Sequence, residues 1–447
     1  MPQRREAGGR GGPATWQSWP RTVAPARLIA PGPAQDWTPQ NADTAWESVL
    51  SEGSLDIHFQ PIISLKKKSI IGVEGLARPR ETGSGRPILP LDLFAWASRR
   101  GQTVALDRLC RRKALTAFSL MAGAPQSPLL FLNFESSVLD QGVLGSGVLR
   151  RAVSECGLVP GQIVIEINES KVADVEALAR FVEVHREQGF LIALDDLGAG
   201  FSNLDRIGLL KPEILKLDRS LIVGIETDFH KQELFKSLVG LGRRVGSLVL
   251  AEGVETEEEV SVCVDLGADM VQGFFFGRPS APDRLSLELV DSQLFAAAEK
   301  QRKRAAERMG RHRAEKQART DLMAGMLSET ASSRFACFEE TLAALALRSP
   351  RIECLYVLSC DGLQVTPTVF APTMAAKPRS RLFLPATQGA DHSSKEYFYG
   401  LAESGDFPHA TEPYLSLASG MLCRTLSCRF QDADGHTFIL CLDIGLG

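Results

Sequence analysis

The sequence predicts an α/β chain: a (β/α)8 barrel over residues 44–285, a helical connector over 286–345 and a small α+β domain over 346–447. Three observations carry this prediction. Short apolar runs alternate with longer amphipathic stretches, the pattern of a parallel sheet covered by helices. The alternating region has close to the ~250 residues typical of such a barrel. Beyond Pro350 the pattern changes to short β-rich runs with Asp-Gly turns. A doubly wound open sheet is the alternative that the same alternation allows.

The elements follow in order. Residues 1–43 are punctuated by Gly, Pro and Arg without a period and read as a flexible leader. Folding begins where Trp46, Val49 and Leu50 fall at helical spacing. The strand runs are His58 to Ile63, Ile70 to Val73, Leu129 to Leu132, Ile163 to Ile165, Leu191 to Leu194, Ile214 to Leu217, Leu248 to Ala251 and Met270-Val271. Stretches rich in helix formers, such as Leu91 to Met121 and Ser170 to Gln188, lie between them. No proline occurs between Pro282 and Pro350, and residues 293–326 are dense in Ala, Glu, Lys and Arg, as a connecting helix requires. Its basic residues Lys300, Arg302, Lys303, Arg304 and Arg308 are interleaved with Glu299, Glu307 and Glu315, which reads as a solvated helix face. The last domain rests on Cys354 to Leu358, Met421 to Leu426 and Phe438 to Leu442, with turns at Asp361-Gly362 and Asp434-Gly435. These runs read as an antiparallel sheet.

Composition narrows the function classes. The formal charge of −4 excludes the basic footprint of a general nucleic-acid coat, so no nucleic-acid partner is expected. No run approaches the ~18 apolar residues that a membrane span needs. The Arg/Gly/Pro-rich start lacks the compact apolar core of a secretory signal. Nine cysteines, an odd number with no paired CxxC spacing, fit reduced thiols in the cytoplasm.

The informative feature is where the acids fall. Glu74, Asn133, Glu166, Asp195-Asp196, Glu252 and Gln272 each follow directly on an apolar run, and Lys216 and Asp218 sit at the end of Ile214 to Leu217. In a parallel barrel these positions converge on the C-terminal rim, where catalytic groups sit. Unpaired, so many carboxylates would repel one another. A hard dication such as Mg²⁺ or Mn²⁺ resolves that conflict, and the absence of histidine from these positions argues against zinc. Adjacent Asp195 and Asp196 could bridge two metals about 3.5–4 Å apart, an arrangement used in phosphoryl transfer. Lys216 then offers a cation to orient water or stabilise phosphate oxygens, the alternative being a structural lysine paired to Asp218. Gly198 and Gly200 permit a mobile loop after the paired aspartates.

Six strings of residues carry a resemblance. Phe59-Gln60-Pro61-Ile62, Glu74-Gly75-Leu76-Ala77-Arg78, Leu194-Asp195-Asp196-Leu197-Gly198-Ala199-Gly200, Leu215-Lys216-Leu217-Asp218-Arg219-Ser220, Ala251-Glu252-Gly253-Val254-Glu255-Thr256 and Gln272 to Pro279 occur in that order. Residues 45–285 thereby resemble an EAL-domain cyclic-di-GMP phosphodiesterase. The resemblance implies a modified TIM barrel that hydrolyses cyclic di-GMP to linear pGpG with two Mg²⁺ or Mn²⁺ ions. It implies Glu74, Asn133, Glu166, Asp195, Asp196 and Glu252 as metal ligands, with Asp218 as a further contributor. Glu74, Lys216, Glu252 and Gln272 would be catalytic, Lys216 as base or electrostatic partner of the water. Gln60, Leu76, Arg78 and Gln272 would bind substrate, and Glu169, Glu255, Gly198 and Gly200 would support the loop and the metal ligands. The sequence departs from the pattern at Gly75 (usually Ala), Leu197 and Ala199 (Phe and Thr), Phe201 (Tyr) and Glu135 (Ser). These changes touch the loop's gating and oligomer coupling rather than the acid set.

Residues 391–398 and 411–416, with Gly420 and Thr425, resemble PAS- or Cache-like sensor domains that follow such barrels, which implies a homodimer and a small-molecule ligand. A β-rich dimerisation module without a ligand is the other reading. For the whole chain the alternatives are a cyclic-di-GMP receptor that passes occupancy to a partner protein, and another metal barrel of the enolase type. The paired aspartates with a downstream Lys and Gln disfavour the enolase type.

Overall fold

The computed structural model describes Val49 and residues 54–446, apart from 82–84, 122–127, 136, 138, 140–146, 169–171, 173, 200–203, 286, 376–381 and 405–406. The expected leader lies outside these residues. The chain divides into two compact units, Met1–Gln301 and Arg302–Gly447.

Eight strands close the barrel of the first unit: β1 (Leu55–Ser64), β2 (Ser69–Pro79), β3 (Leu129–Phe134), β4 (Ile163–Ile167), β5 (Leu191–Leu197), β6 (Ile214–Leu217), β7 (Leu248–Glu252) and β8 (Met270–Gln272). All eight apolar runs fall on them, because strands buried on both faces read as continuous apolar runs. One expectation is corrected. The sheet is not parallel throughout: β1 runs antiparallel to both β2 and β8, while β2 to β8 are parallel. The cause is local. Only Leu65 to Lys68 separate β1 from β2, with Lys68 at φ 52°, and a parallel return needs a crossover of a dozen residues or more.

Helices α1 (Pro90–Arg99), α2 (Thr103–Ser119), α3 (Val148–Glu155), α4 (Val175–Glu187), α5 (Leu204–Leu210), α6 (Arg219–Ile222), α7 (Phe229–Val245) and α8 (Glu257–Asp265) return the chain between the parallel strands. Several of their starts are capped by the residues that favour caps. Asp174 accepts from the Ala177 amide, Asp228 from those of His230 and Lys231, and Thr256 forms a capping box with Glu259. The main core lies between strands and helices and includes Phe59, Val73, Leu132, Ile165, Phe181 and Phe235.

Inward-facing strand residues form a second, smaller core of Ile62, Phe131, Val164, Ala193, Ile214, Leu250 and Met270. Gly72 completes this layer: a Cβ there would lie 2.6 Å from the Phe131 ring, so glycine makes room for that side chain. Because alternate residues share a face, the next inward layer is two residues on. It consists of Glu74, Asn133, Glu166, Asp195, Lys216, Glu252 and Gln272, and in reversed β1 of Gln60, two residues before Ile62. The register agrees, pairing Gln60 with Glu74, Asn133 with Glu166, and Glu252 with Gln272. The polar layer therefore lies directly above an apolar plug.

In the second unit an antiparallel sheet is built from β9 (Ile352–Ser359), β10 (Val369–Phe370), β11 (His409–Ala410), β12 (Tyr414–Leu415), β13 (Leu422–Gln431) and β14 (Thr437–Gly445). Its order is β10-β9-β14-β13-β11, with β12 also on β13. The expected connector is helical: α9 (Leu287–Ala331) and α10 (Phe338–Leu345). The division between the units falls inside α9. Met323, Met326, Phe338 and Leu342 pack with Leu355, Leu426, Leu440 and Leu442 on one face of the sheet. Cys354, Tyr356, Tyr397 and Cys441 belong to a separate cluster on the other. No helix among the described residues is long and apolar enough to cross a membrane.

Candidate active site

Lys216 is 1 % exposed and stands at the centre of the polar layer. Its Nζ lies 2.5 Å from Glu166 Oε1, 2.9 Å from Asp195 Oδ1 and 2.7 Å from Glu252 Oε1. Burial alone would lower the ammonium's pKa, but Asp195, Glu166, Glu252 and Glu74 together hold it well above the ordinary lysine value. The acids respond in opposite directions. Burial pushes Glu166 well above the carboxylate range, with Lys216 opposing it and Glu74, Asp195 and Glu252 adding to it. Burial likewise pushes Glu252 up to about 8 against the pull of Lys216. Burial acts on Glu74 too, but it is outweighed by Lys216 and by amide donors, so its carboxyl lies below the usual value.

Those donors are named by the geometry. Asn133 Nδ2 donates to Glu74 Oε1 at 2.8 Å, and Gln272 Nε2 donates to Glu74 Oε2 at 2.6 Å. Gln272 Nε2 is also 3.2 Å from Gln60 Oε1, and Gln60 Nε2 donates to the Gly277 carbonyl at 3.0 Å. Two buried acceptors, Glu166 Oε2 and Gln272 Oε1, have no hydrogen-bond donor. Oxygens of Asp195, Asp196 and Glu252 lie within 4.8 Å of one another. Orphaned acceptors beside crowded carboxylates, all oxygen donors, match a hard dication.

The paired aspartates depend on a local irregularity. The β5–β6 register shifts between Leu194 and Leu197, and Asp196 has φ 58°. Asx residues tolerate this left-handed region better than most. The bulge turns two consecutive carboxylates to the rim where a regular strand would present one. Asn168 donates to Asp196, and Gly198 (φ 100°) follows, where a Cβ would lie 2.4 Å from Leu221.

Two clefts flank the acids and share Glu74, Asp195 and Asp196. The first, of about 280 Å³, is lined by Leu76, Arg78, Phe94, Asp107, Arg111 and Asn133. The second, of about 330 Å³, is lined by Gln60, Lys216, Arg219, Glu252, Gln272 and Phe274. Arg78 is partly buried in the first cleft, and burial lowers its pKa against the pull of Glu74.

The remaining expected site residues are placed as follows. Asp218 caps α6, accepting from the Ser220 amide at 2.9 Å. Glu255 pairs with Arg219. Glu169 and Gly200 lie outside the described residues. Glu74, Glu166 and Asp195, read from sequence as closing their strands, are inside them; β2 continues to Pro79 because its hairpin with β1 extends pairing to Leu55.

Sequence reasoning missed Asp107, which is 2 % exposed, pairs with Arg111, and accepts from the Glu135 amide at 3.1 Å. Read along the chain, Asp107 and Arg111 look like a surface i,i+4 pair. The signal was Asp107's place on the stripe of Thr103, Ala114 and Phe118, all buried. It also missed Phe274, 42 % exposed, with the Arg278 guanidinium 4.2 Å from its ring centre.

Comparison with known proteins meets this geometry. The chain is 29% identical over 242 residues to the bifunctional diguanylate cyclase/cyclic di-GMP phosphodiesterase MucR of Pseudomonas aeruginosa, covering 53% of this chain and 34% of that protein. It is 29% identical over 235 residues to the cyclic di-GMP phosphodiesterase RocR of the same organism, covering 52% of this chain and 58% of that one. The chain thus spans about a third of the length of the first curated relatives it matches. Among solved structures, YkuI of Bacillus subtilis, an EAL-domain protein in complex with cyclic di-GMP and calcium, superposes with TM-score 0.74 at 20% identity. That match covers 90% of this chain and 99% of YkuI, and it shows a shared fold. The MucR phosphodiesterase complex with cyclic di-GMP gives TM-score 0.50 at 26% identity over 55% of this chain and 99% of that one. The EAL domain family profile matches residues 43–279, more than half of the sequence, and the chain belongs to that family.

Proposed function

We propose that the barrel hydrolyses cyclic di-GMP to linear pGpG with two divalent cations, Mg²⁺ or Mn²⁺. The observation that carries this reading is the layer of acids around buried Lys216, open to two clefts that meet at Glu74, Asp195 and Asp196. A molecule with two nucleoside arms and a phosphodiester between them fits such a paired cleft. The phosphodiesterase names of MucR and RocR and the cyclic di-GMP and calcium in the YkuI structure support it.

Glu74, Asn133, Glu166, Asp195, Asp196 and Glu252 would hold the cations. Asp218 is a weaker fit, since its carboxylate already caps α6. Bound cations would supply Lewis acidity toward the phosphate oxygens and lower the pKa of a bound water. The chain's own groups do the rest. Lys216 Nζ can hydrogen-bond an attacking water or steady charge on a phosphate oxygen, in a site where burial strengthens the interaction. Arg78 offers a guanidinium to the phosphate on the first-cleft side. Gln272, braced by Gln60, orients Glu74 and keeps its own Oε1 free for water or substrate. Hydrolysis adds one water and breaks one P–O bond of the ring, so a linear dinucleotide leaves. The proposal includes a cytoplasmic location, in keeping with nine free cysteines. It also includes a homodimer and a small-molecule input at residues 346–447.

Incubation with cyclic di-GMP and Mn²⁺, followed by chromatography of the nucleotides, tests the reading. Release of pGpG is expected. Saturable binding with no product would overturn it in favour of a receptor.

A further inference from the structure

We propose that Arg319 on α9 and Arg424 on β13 form a binding site for a small oxyanion, a phosphate or a carboxylate, on the C-terminal unit. Helix and strand run side by side in the same direction. At their C-terminal ends the Ala433 amide donates to the Ser333 carbonyl at 3.2 Å, and Arg334 and Asp434 approach to 3.7 Å. One step back, Met326 and Met323 share a core cluster with Phe430, Cys428 and Leu426. Arg319 is one turn before Met323 on the same helix face, and Arg424 is two residues before Leu426 on the same strand face. The two guanidiniums are therefore brought together at the open end of this packed pair.

Among the described residues neither has an adequate counter-ion. The carboxylates that approach them are Glu315 Oε2, 4.0 Å from Arg319 Nη1, and Glu412 Oε2, 4.0 Å from Arg424 Nη2. Both distances exceed the ~3.2 Å limit of an N–H···O hydrogen bond. Both acids are mostly solvated, 63% and 85% exposed, whereas the arginines are 24% and 20% exposed. Arg424 Nε is buried with no hydrogen-bond partner. Burial, and after it the neighbouring Arg424 charge, lower the Arg319 pKa against the pull of Glu315. Two half-buried forks with an orphaned donor and a surplus of positive charge are complementary to an oxyanion, which the planar guanidinium binds through paired hydrogen bonds. Glu315 and Glu412 are exposed enough to swing away when an anion arrives.

Calorimetric titration of the full chain with inorganic phosphate, and separately with succinate, at constant ionic strength tests this. Binding of one of them to the wild type is expected, weakened about tenfold or more in both Arg319→Gln and Arg424→Gln. The anion that shows this loss identifies the source, phosphate or carboxylate. Arg424→Lys should fall between, since it keeps the charge and loses the fork. Should Arg424→Gln fail to fold, as judged by circular dichroism, Arg319→Gln on a more exposed position decides. No binding of either anion to the wild type, or undiminished binding in a folded variant, overturns the proposal.

Discussion

At the barrel rim several buried and half-buried carboxylates share one ammonium, whereas in the C-terminal sheet buried Asp443 pairs with no cation among the described residues. Asp443 is 3 % exposed and accepts from Thr425 Oγ1 at 2.7 Å and Cys354 Sγ at 3.4 Å. Tyr414 OH lies 2.5 Å from the same Thr425 hydroxyl. Burial raises the Asp443 pKa to about 6, with Thr425 and Cys354 opposing and Glu353 adding to the rise. Both regions bury acids, but at the rim Glu166 Oε2 and Gln272 Oε1 are left without donors beside two clefts, whereas both Asp443 oxygens accept a hydrogen bond. Crowded charge with unsatisfied oxygens and access marks a site that awaits a ligand. A single carboxyl held by neutral donors is a structural network that responds to protons.

The contrast can be broken first at its centre. Lys216→Met removes the cation that Glu166, Asp195 and Glu252 share. Turnover of cyclic di-GMP should fall by about 10²–10⁴-fold, while Mn²⁺ binding, followed by calorimetry, persists because the acids remain. Turnover within tenfold of wild type would make the lysine merely structural.

The second probe is Asp443→Asn. A carboxyl whose pKa is raised on folding contributes stability that is complete below its unfolded value and is lost as pH rises through about 6. The expected loss for the wild type relative to the variant is roughly 2.5 kcal/mol between pH 4 and pH 8. Thermal unfolding of both proteins across that range measures it. Parallel profiles would mean that Asp443 carries no such linkage.

The smallest effect concerns the plug beneath the rim. Gly72→Ala drives a methyl against the Phe131 ring and should cost about 1–3 kcal/mol in denaturant unfolding. A neutral substitution would show that Phe131 has room to shift.

The fold was legible wherever one physical constraint dominates. The eight apolar runs became strands because the barrel buries both their faces, and the polar residue following six of them marked the layer above the plug, which Gln60 and Lys216 complete from inside the other two. The reversal of β1 was also written in the sequence, in the four residues from Leu65 to Lys68, but the alternation of runs cannot express direction. Strand length misled at Glu74: the hairpin extends β2 by five residues whose alternation, Gly75 to Pro79, carries no continuous apolar run. Asp107 was hidden because an acid and a base four apart on a helix look solvated until tertiary packing covers them. In the second unit β9, β13 and β14 were readable, but β10, β11 and β12 have two residues each, too short for any period to appear.

If the rim acids serve a cation-dependent hydrolysis, product must follow the cation. The most direct measurement is the initial rate of pGpG release from cyclic di-GMP as Mn²⁺ is titrated into protein first stripped with EDTA. No product is expected in EDTA, and a rise with Mn²⁺ to saturation. Product formed at the same rate in EDTA, or none at saturating Mn²⁺ and Mg²⁺, would contradict it.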